Sequence, residues 1–305
     1  MTMHPLSGVY AAAVTPLKPD LSPDLDAIPP FLDFLASRGC HGALLFGTTG
    51  EGPSFSPAER QAVWKAALKI REQVPSFRLF AGTGTPSLTE TIDLTRIAFD
   101  LGFDAVVTLP PYYFRKATDE GLYRWFEQLI QKAVPSDRYL LGYHFPGVAG
   151  IGFSLDLLAR LKDSFPSQFA GIKDSSHDSD FAQSLGERFG DDLAVFNGTD
   201  SDLTFALQHH AAGCITAPAN LLSPDLRRVY DGFIAGQDMG ALQNRVSEQR
   251  HILDGLPPFP PTLKGLLSLS YGQPLWPVRP PLLPALSADL DRLQRELEGL
   301  GQSAL

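Results

Sequence analysis

A lysine that ends an apolar run is the sharpest chemical feature of the chain. Lys173 follows Phe169-Ala170-Gly171-Ile172. If that run is a strand, alternation puts Gly171 and Lys173 on one face and Ala170 and Ile172 on the other. With Ile172 turned towards helices, Lys173 points inward, where burial disfavours the ammonium and frees the amine as a nucleophile. Position alone leaves a second reading open, a rim lysine whose ammonium reaches solvent along its aliphatic stem. Tyr143 lies near the end of another run, Tyr139–Phe145, and alternates inward with Leu141. A phenol beside an amine can relay a proton. A core tyrosine with a satisfied hydroxyl is the plainer reading. Thr48 and Thr49 follow a third run and precede Gly50. Their hydroxyls and amides could hold a carboxylate without bringing in a full charge, or could simply cap a glycine-rich turn. The segment lacks the lysine of a phosphate-binding P-loop.

Around these positions stand groups with quieter roles. His144 adjoins Tyr143 and on a regular strand points the other way, as a packed histidine behind the site. Asp174 faces outward by the same rule. Arg115-Lys116 reads as a solvated loop. No set of His, Cys and carboxylate has metal-ligand spacing, so no metal and no cofactor is expected.

Eight short apolar runs must position these groups: Gly8–Pro16, Gly42–Gly47, Arg78–Gly84, Ala105–Pro111, Tyr139–Phe145, Ala170–Ser176, Leu193–Thr199 and Gly213–Ala219. Their starts fall 20 to 36 residues apart, the length of a βα unit. Continuous apolar runs mark strands buried on both faces, as in a parallel sheet. Helix-start signals lie between them. Ser56-Pro57-Ala58-Glu59 and Ser87-Leu88-Thr89-Glu90 read as capping boxes, and Ser22-Pro23 and Ser223-Pro224 as shorter Ser-Pro starts. Leu155, Leu158 and Leu161 line one helical face. Eight such units predict an α/β fold, a (β/α)₈ TIM barrel over residues 1–236, with an open doubly wound sheet as the alternative. Residues 237–305 then form a helical extension packed on the barrel, with helices over Gln243–Leu253, Thr262–Tyr271 and Ala285–Leu300 joined by proline-rich connectors.

Composition excludes several function classes. The 305 residues carry a formal net charge of −9, which argues against nucleic acid or an anionic membrane as partner. Two cysteines, Cys40 and Cys214, rule out a disulfide scaffold and read as structural thiols. The N-terminus has no basic segment before its apolar stretch, and no apolar run spans a bilayer. A cytoplasmic enzyme of small molecules is the expectation.

In a barrel, chemistry sits at the carboxyl ends of the strands. There the chain presents Gly47-Thr48-Thr49-Gly50-Glu51, Pro111-Tyr112-Tyr113, Tyr143-x-x-Pro146, Gly171-Ile172-Lys173-Asp174, Asn197-Gly198 and Ala219-Asn220 in that order. This ordered set resembles the dihydrodipicolinate synthase / N-acetylneuraminate lyase family of class I pyruvate-dependent aldolases, from Val14-Thr15-Pro16 to Val278-Arg279-Pro280-Pro281-Leu282. The resemblance implies that Lys173 forms an imine with a 2-oxo carbon and that Tyr143 moves protons. It implies that Thr48 links Tyr143 to Tyr113, often drawn in this family from a neighbouring subunit. Thr49 would hold the pyruvate carboxylate, Gly198 and Ile215 would line the far side, and the chain would form a homodimer or homotetramer.

One departure bears on substrate. Family members that condense pyruvate with aspartate semialdehyde usually carry Ser-Arg soon after the Tyr-x-x-Pro tyrosine. This chain reads Pro146-Gly147-Val148-Ala149-Gly150, with Val148 at the arginine position. Valine cannot grip a carboxylate. The favoured substrates are therefore 2-oxo-3-deoxy sugar acids or 4-hydroxy-2-oxo acids, cleaved to pyruvate and an aldehyde. Dihydrodipicolinate synthesis and a non-catalytic 2-oxo-acid-binding relative stand as alternatives.

Overall fold

Strand ends and helix caps decide how the chain closes. The computed structural model describes residues 4–301. Eight parallel strands form a closed barrel in sequence order: β1 (Gly8–Ala12), β2 (Gly42–Leu45), β3 (Arg78–Gly82), β4 (Ala105–Thr108), β5 (Tyr139–His144), β6 (Phe169–Asp174), β7 (Ala194–Asn197) and β8 (Gly213–Thr216). Gly8 through Ala11 of β1 pair with Gly213 through Thr216 of β8, which closes the ring and excludes the open sheet.

Alternation sorts the strand residues into two layers. Tyr10, Leu44, Phe80, Val107, Leu141 and Phe196 fill the barrel interior. Val9, Ala43, Leu79, Val106, Leu140 and Ile172 face outward and pack with the surrounding helices in the larger core. A buried strand with both faces apolar is the expected result.

The strands are shorter than the apolar runs. Each run continues into the loop at its carboxyl end, where hydroxyls and glycines leave the ladder. In β2 the break is local: Phe46 takes φ of 58°, which an extended strand cannot accommodate. Strand β6 also departs from strict alternation. The β5–β6 register steps from Leu140↔Phe169 to Leu141↔Gly171, so Ala170 is an extra residue. This bulge lets Phe169 and Ile172 both face the outer core, where a regular strand would turn Phe169 inward.

Ser56 makes the full capping box at the helix Pro57–Ala67, while Ser87 caps Leu88–Asp100 through the Glu90 amide. Two Ser-Pro expectations need correction. Ser22 and Pro23 lie in a turn bridged to Leu17, and the helix begins at Ile28 with Pro29 and Pro30 in its first turn. Ser223 and Pro224 lie inside the helix Ala219–Ile234. Tertiary contacts start that helix earlier. The Asn220 side chain donates to the Ala12 carbonyl and accepts from the Val14 amide, tying the first turn to the end of β1.

Three helices follow the barrel: Gly240–Asp254, Phe259–Tyr271 and Ser287–Gly299. No helix among the described residues is long and apolar enough to cross a membrane. Cys40 and Cys214 are free and buried.

Candidate active site

Register brings the two candidate reactive groups together. Tyr143 on β5 pairs directly with Lys173 on β6. Equal register on adjacent strands puts both side chains on the interior face at one level, where the Lys173 Nζ sits 4.2 Å from the centroid of the Tyr143 ring. Lys173 is 4% exposed, so the rim reading does not hold. The contact places the amine over the face of the phenol ring. The Tyr143 hydroxyl lies 3.4 Å from Thr48 Oγ1, a long hydrogen bond in which either oxygen could donate.

These groups border a cavity of about 290 Å³ at the carboxyl end of the barrel. Thr48, Thr49, Gly198 and Ile215 line it with Lys173 and Tyr143. Gly198 is required there by space. A Cβ at that position would collide with Ser175 Oγ and the Asp174 carbonyl oxygen, which the Gly198 amide approaches at 2.6 Å. Thus six of the seven expected site residues converge. Tyr113 does not. It is 76% exposed and packs edge-on against Phe114, itself 70% exposed. Arg115 and Lys116 are exposed and border neither this cavity nor its neighbour.

The histidine and aspartate behind the site are packed groups. His144 stacks on Phe181 at 4.3 Å, and its Nδ1 accepts the Phe153 amide proton. Burial lowers its pKa to about 4, so the ring is neutral at physiological pH. Asp174 accepts from the Ser176 amide, and burial raises its pKa.

The helical extension supplies a wall and two fastenings that sequence reading did not find. Arg250, Pro257, Pro258, Phe259 and Pro260 line the cavity. Arg250 Nη1 donates to Asp200 Oδ1 at 3.0 Å, and its Nε to Asp254 Oδ1 at 2.9 Å. The second fastening is deeper. Lys264 Nζ donates to Glu51 Oε1 at 2.6 Å, with the two side chains 1% and 0% exposed. Glu51 Oε2 accepts the Arg279 amide proton. Glu51 closes the loop that bears Thr48 and Thr49, and it holds φ of 56°. Lys264 is 213 residues from Glu51 in sequence, and no local pattern marks such a pair.

A second cavity of about 220 Å³ shares Thr48, Tyr143 and Val148 with the first. Arg60 lines it. The Arg60 guanidinium donates to the Gly52 and Gly82 carbonyls, and its Nε has no partner among the described residues.

A closed barrel with a buried lysine ending its sixth strand, and a tyrosine beside it on the fifth, defines a lysine-dependent barrel enzyme of the aldolase kind. Residues 5–299 match the model described as the dihydrodipicolinate synthetase family. The chain belongs to that family, and with it to the pyruvate-dependent aldolases and lyases. It is 36% identical to an uncharacterised DapA-like lyase of Chloroflexus aurantiacus, over 95% of this chain and 96% of that protein. A 4-hydroxy-tetrahydrodipicolinate synthase of Sorangium cellulosum is 33% identical, with 98% of each chain covered. A crystal structure of dihydrodipicolinate synthase from Agrobacterium tumefaciens superposes with a TM-score of 0.87 at 30% identity, covering 96% of this chain and 99% of that one.

Proposed function

We propose that this protein cleaves a 4-hydroxy-2-oxo acid or a 2-oxo-3-deoxy sugar acid to pyruvate and an aldehyde through a Schiff base on Lys173. The carrying observation is the buried Lys173 Nζ beside the Tyr143 ring at the carboxyl end of the barrel.

The chemistry follows from the groups present. The neutral amine attacks the 2-oxo carbon, and water leaves with a proton delivered by the Tyr143 phenol. The resulting iminium withdraws electrons. As Tyr143 takes the proton of the 4-hydroxyl, the C3–C4 bond breaks and its electrons form the enamine. Protonation at C3 and hydrolysis of the imine release pyruvate and restore Lys173. The iminium supplies the positive charge, so no metal or cofactor is called for. Thr49 holds the carboxylate through hydroxyl and amide, while Gly198 and Ile215 close the far side. Thr48 links Tyr143 to Tyr113. The exposed Tyr113–Phe114 pair fits a Tyr113 supplied across a subunit contact in a homodimer or homotetramer. A cytoplasmic setting suits two reduced, buried thiols.

Condensation of pyruvate with aspartate semialdehyde is disfavoured. Val148 borders the cavity where a carboxylate grip would stand. Borohydride reduction in the presence of pyruvate, followed by peptide mass mapping, tests the reading. A stable pyruvate adduct on Lys173 is expected, and labelling confined to any other lysine would overturn it.

A further inference from the structure

The part of the cavity beyond Lys173 receives whatever pyruvate is joined to, and its chemistry is uneven. Phe145 and Val148 form one side and Phe259, with its flanking prolines, forms another. Val148 is 53% exposed, with no neighbour covering it among the described residues. Phe145 packs against the Tyr143 ring at 5.7 Å, so apolar surface adjoins the proton carrier.

The polar groups on that side are few, and the charged one is engaged. Arg250 is its one arginine or lysine apart from Lys173 itself. It is held between Asp200 and Asp254, which leaves no surplus positive charge for an anionic substrate end. His177 borders the same wall with its Nδ1 3.3 Å from Thr199 Oγ1, and Ser175 is buried beside Gly198. These two groups can serve one or two substrate oxygens, the 4-hydroxyl among them. They cannot serve the several hydroxyls of a sugar-derived chain. Each hydroxyl buried against phenyl and proline surface without a partner costs about tenfold in binding or more. A terminal carboxylate there is worse placed, because a desolvated anion needs a free cation.

We infer that the aldehyde released by this enzyme is apolar and flat, an aryl aldehyde, and that Phe145, Val148 and Phe259 determine this choice. The substrate is then a 4-hydroxy-2-oxo acid with an apolar group on C4. The inference rests on the Schiff-base reading above and narrows it. Atoms balance through the same retro-aldol step. The C3–C4 bond breaks, C4 becomes the aldehyde carbon, the hydroxyl proton passes to Tyr143, and water completes release of pyruvate from Lys173.

The test compares kcat/KM for pyruvate release from three acids: 4-hydroxy-2-oxo-4-phenylbutanoate, a six-carbon 2-oxo-3-deoxy sugar acid and 4-hydroxy-2-oxoglutarate. The phenyl compound should lead both others by at least about tenfold, and Phe259→Ser should reduce that lead by about 10- to 100-fold through loss of apolar contact. A higher kcat/KM for the sugar acid or the dicarboxylate overturns the inference. So does a phenyl preference that survives in both Phe259→Ser and Val148→Ser. Pyruvate trapping on Lys173 is measured in parallel. An adduct with no aryl preference sinks the substrate class and leaves the Schiff-base reading standing, whereas no adduct sinks both.

Discussion

Nucleophile and proton carrier are separate tasks, and single substitutions separate them. Lys173→Ala should abolish both turnover and borohydride-dependent inactivation. Among the described residues, Lys173 is the only lysine lining this cavity; trapping on another lysine in that variant would show that the nucleophile is misplaced. Tyr143→Phe removes only the hydroxyl and keeps the ring under Nζ. It should lower kcat by about 10²–10⁴-fold while pyruvate binding changes little. Near-normal turnover in the mutant would remove the phenol from the mechanism. Val148 gives the matching gain-of-function test. Its exposed side chain leaves room for a longer one, so Val148→Arg should raise kcat/KM for aspartate semialdehyde by about one to two decades. That is the worth of one charge-assisted hydrogen bond of roughly 1.5–3 kcal/mol. If the unaltered enzyme already prefers the semialdehyde over 4-hydroxy-2-oxo acids, the valine has been given too much weight.

At the scale of elements, contacts fasten the extension to loops of the barrel beside the site. The Lys264–Glu51 pair is buried at 2.6 Å, and its carboxylate ends the Thr48–Thr49 loop. Breaking such a pair from one side leaves an uncompensated charge and typically costs 3–5 kcal/mol. Lys264→Met should therefore lower the thermal midpoint markedly, as calorimetry would record. The double variant Glu51→Leu/Lys264→Met should recover much of that stability, because two apolar groups can fill the same space. It should still show a raised KM for pyruvate, since the Arg279 amide loses its partner and the threonine loop loses its anchor. A double variant with unchanged KM would make the pair purely structural. The β6 bulge acts at the same scale. It turns Phe169 outward with Ile172 while Lys173 stays inward, a feature that strict period-2 reading could not anticipate.

Two histidines, His144 buried and His41 half-buried, set an acid limit for the whole molecule. Burial lowers the pKa of both His41 and His144 to about 4, from an ordinary value of 6.5. The unfolded chain therefore binds protons more readily than the folded one. Stability from the neutral rings is fully present above about pH 6.5 and is lost as pH falls towards 4. The thermal midpoint should fall by several degrees between pH 7 and pH 4.5, and less in His144→Asn, which keeps an acceptor for the Phe153 amide. Equal pH slopes in the two proteins would exclude His144 as a contributor. Assembly has its own test. Mixed, refolded Lys173→Ala and Tyr113→Phe subunits should regain activity in about a quarter of sites if Tyr113 acts across a subunit contact in random dimers. No recovery would confine Tyr113 to its own protomer or remove it from the site.

The sequence by itself determined the barrel and marked its candidate reactive groups. Eight apolar runs at βα spacing specify a parallel sheet buried on both faces, and a lysine ending the sixth run is legible because strand alternation is local. The family resemblance carried by the ordered motifs implied Thr48, Thr49, Tyr143, Lys173, Gly198 and Ile215 as one set, and the fold brings all six to one cavity. Ends of elements were less legible. Ser22 and Ser223 carry the right chemistry for helix caps, yet the bridge to Leu17 and the Asn220 contacts with β1 placed the helices elsewhere. Only the tertiary structure decided what walls the far end of the cavity. Arg250 and Phe259 reach it from helices that follow the barrel, and Lys264 reaches Glu51 across 213 residues. Periodicity reports which face of an element is buried. Which distant element covers that face depends on chain closure, and this decided the surroundings of Lys173.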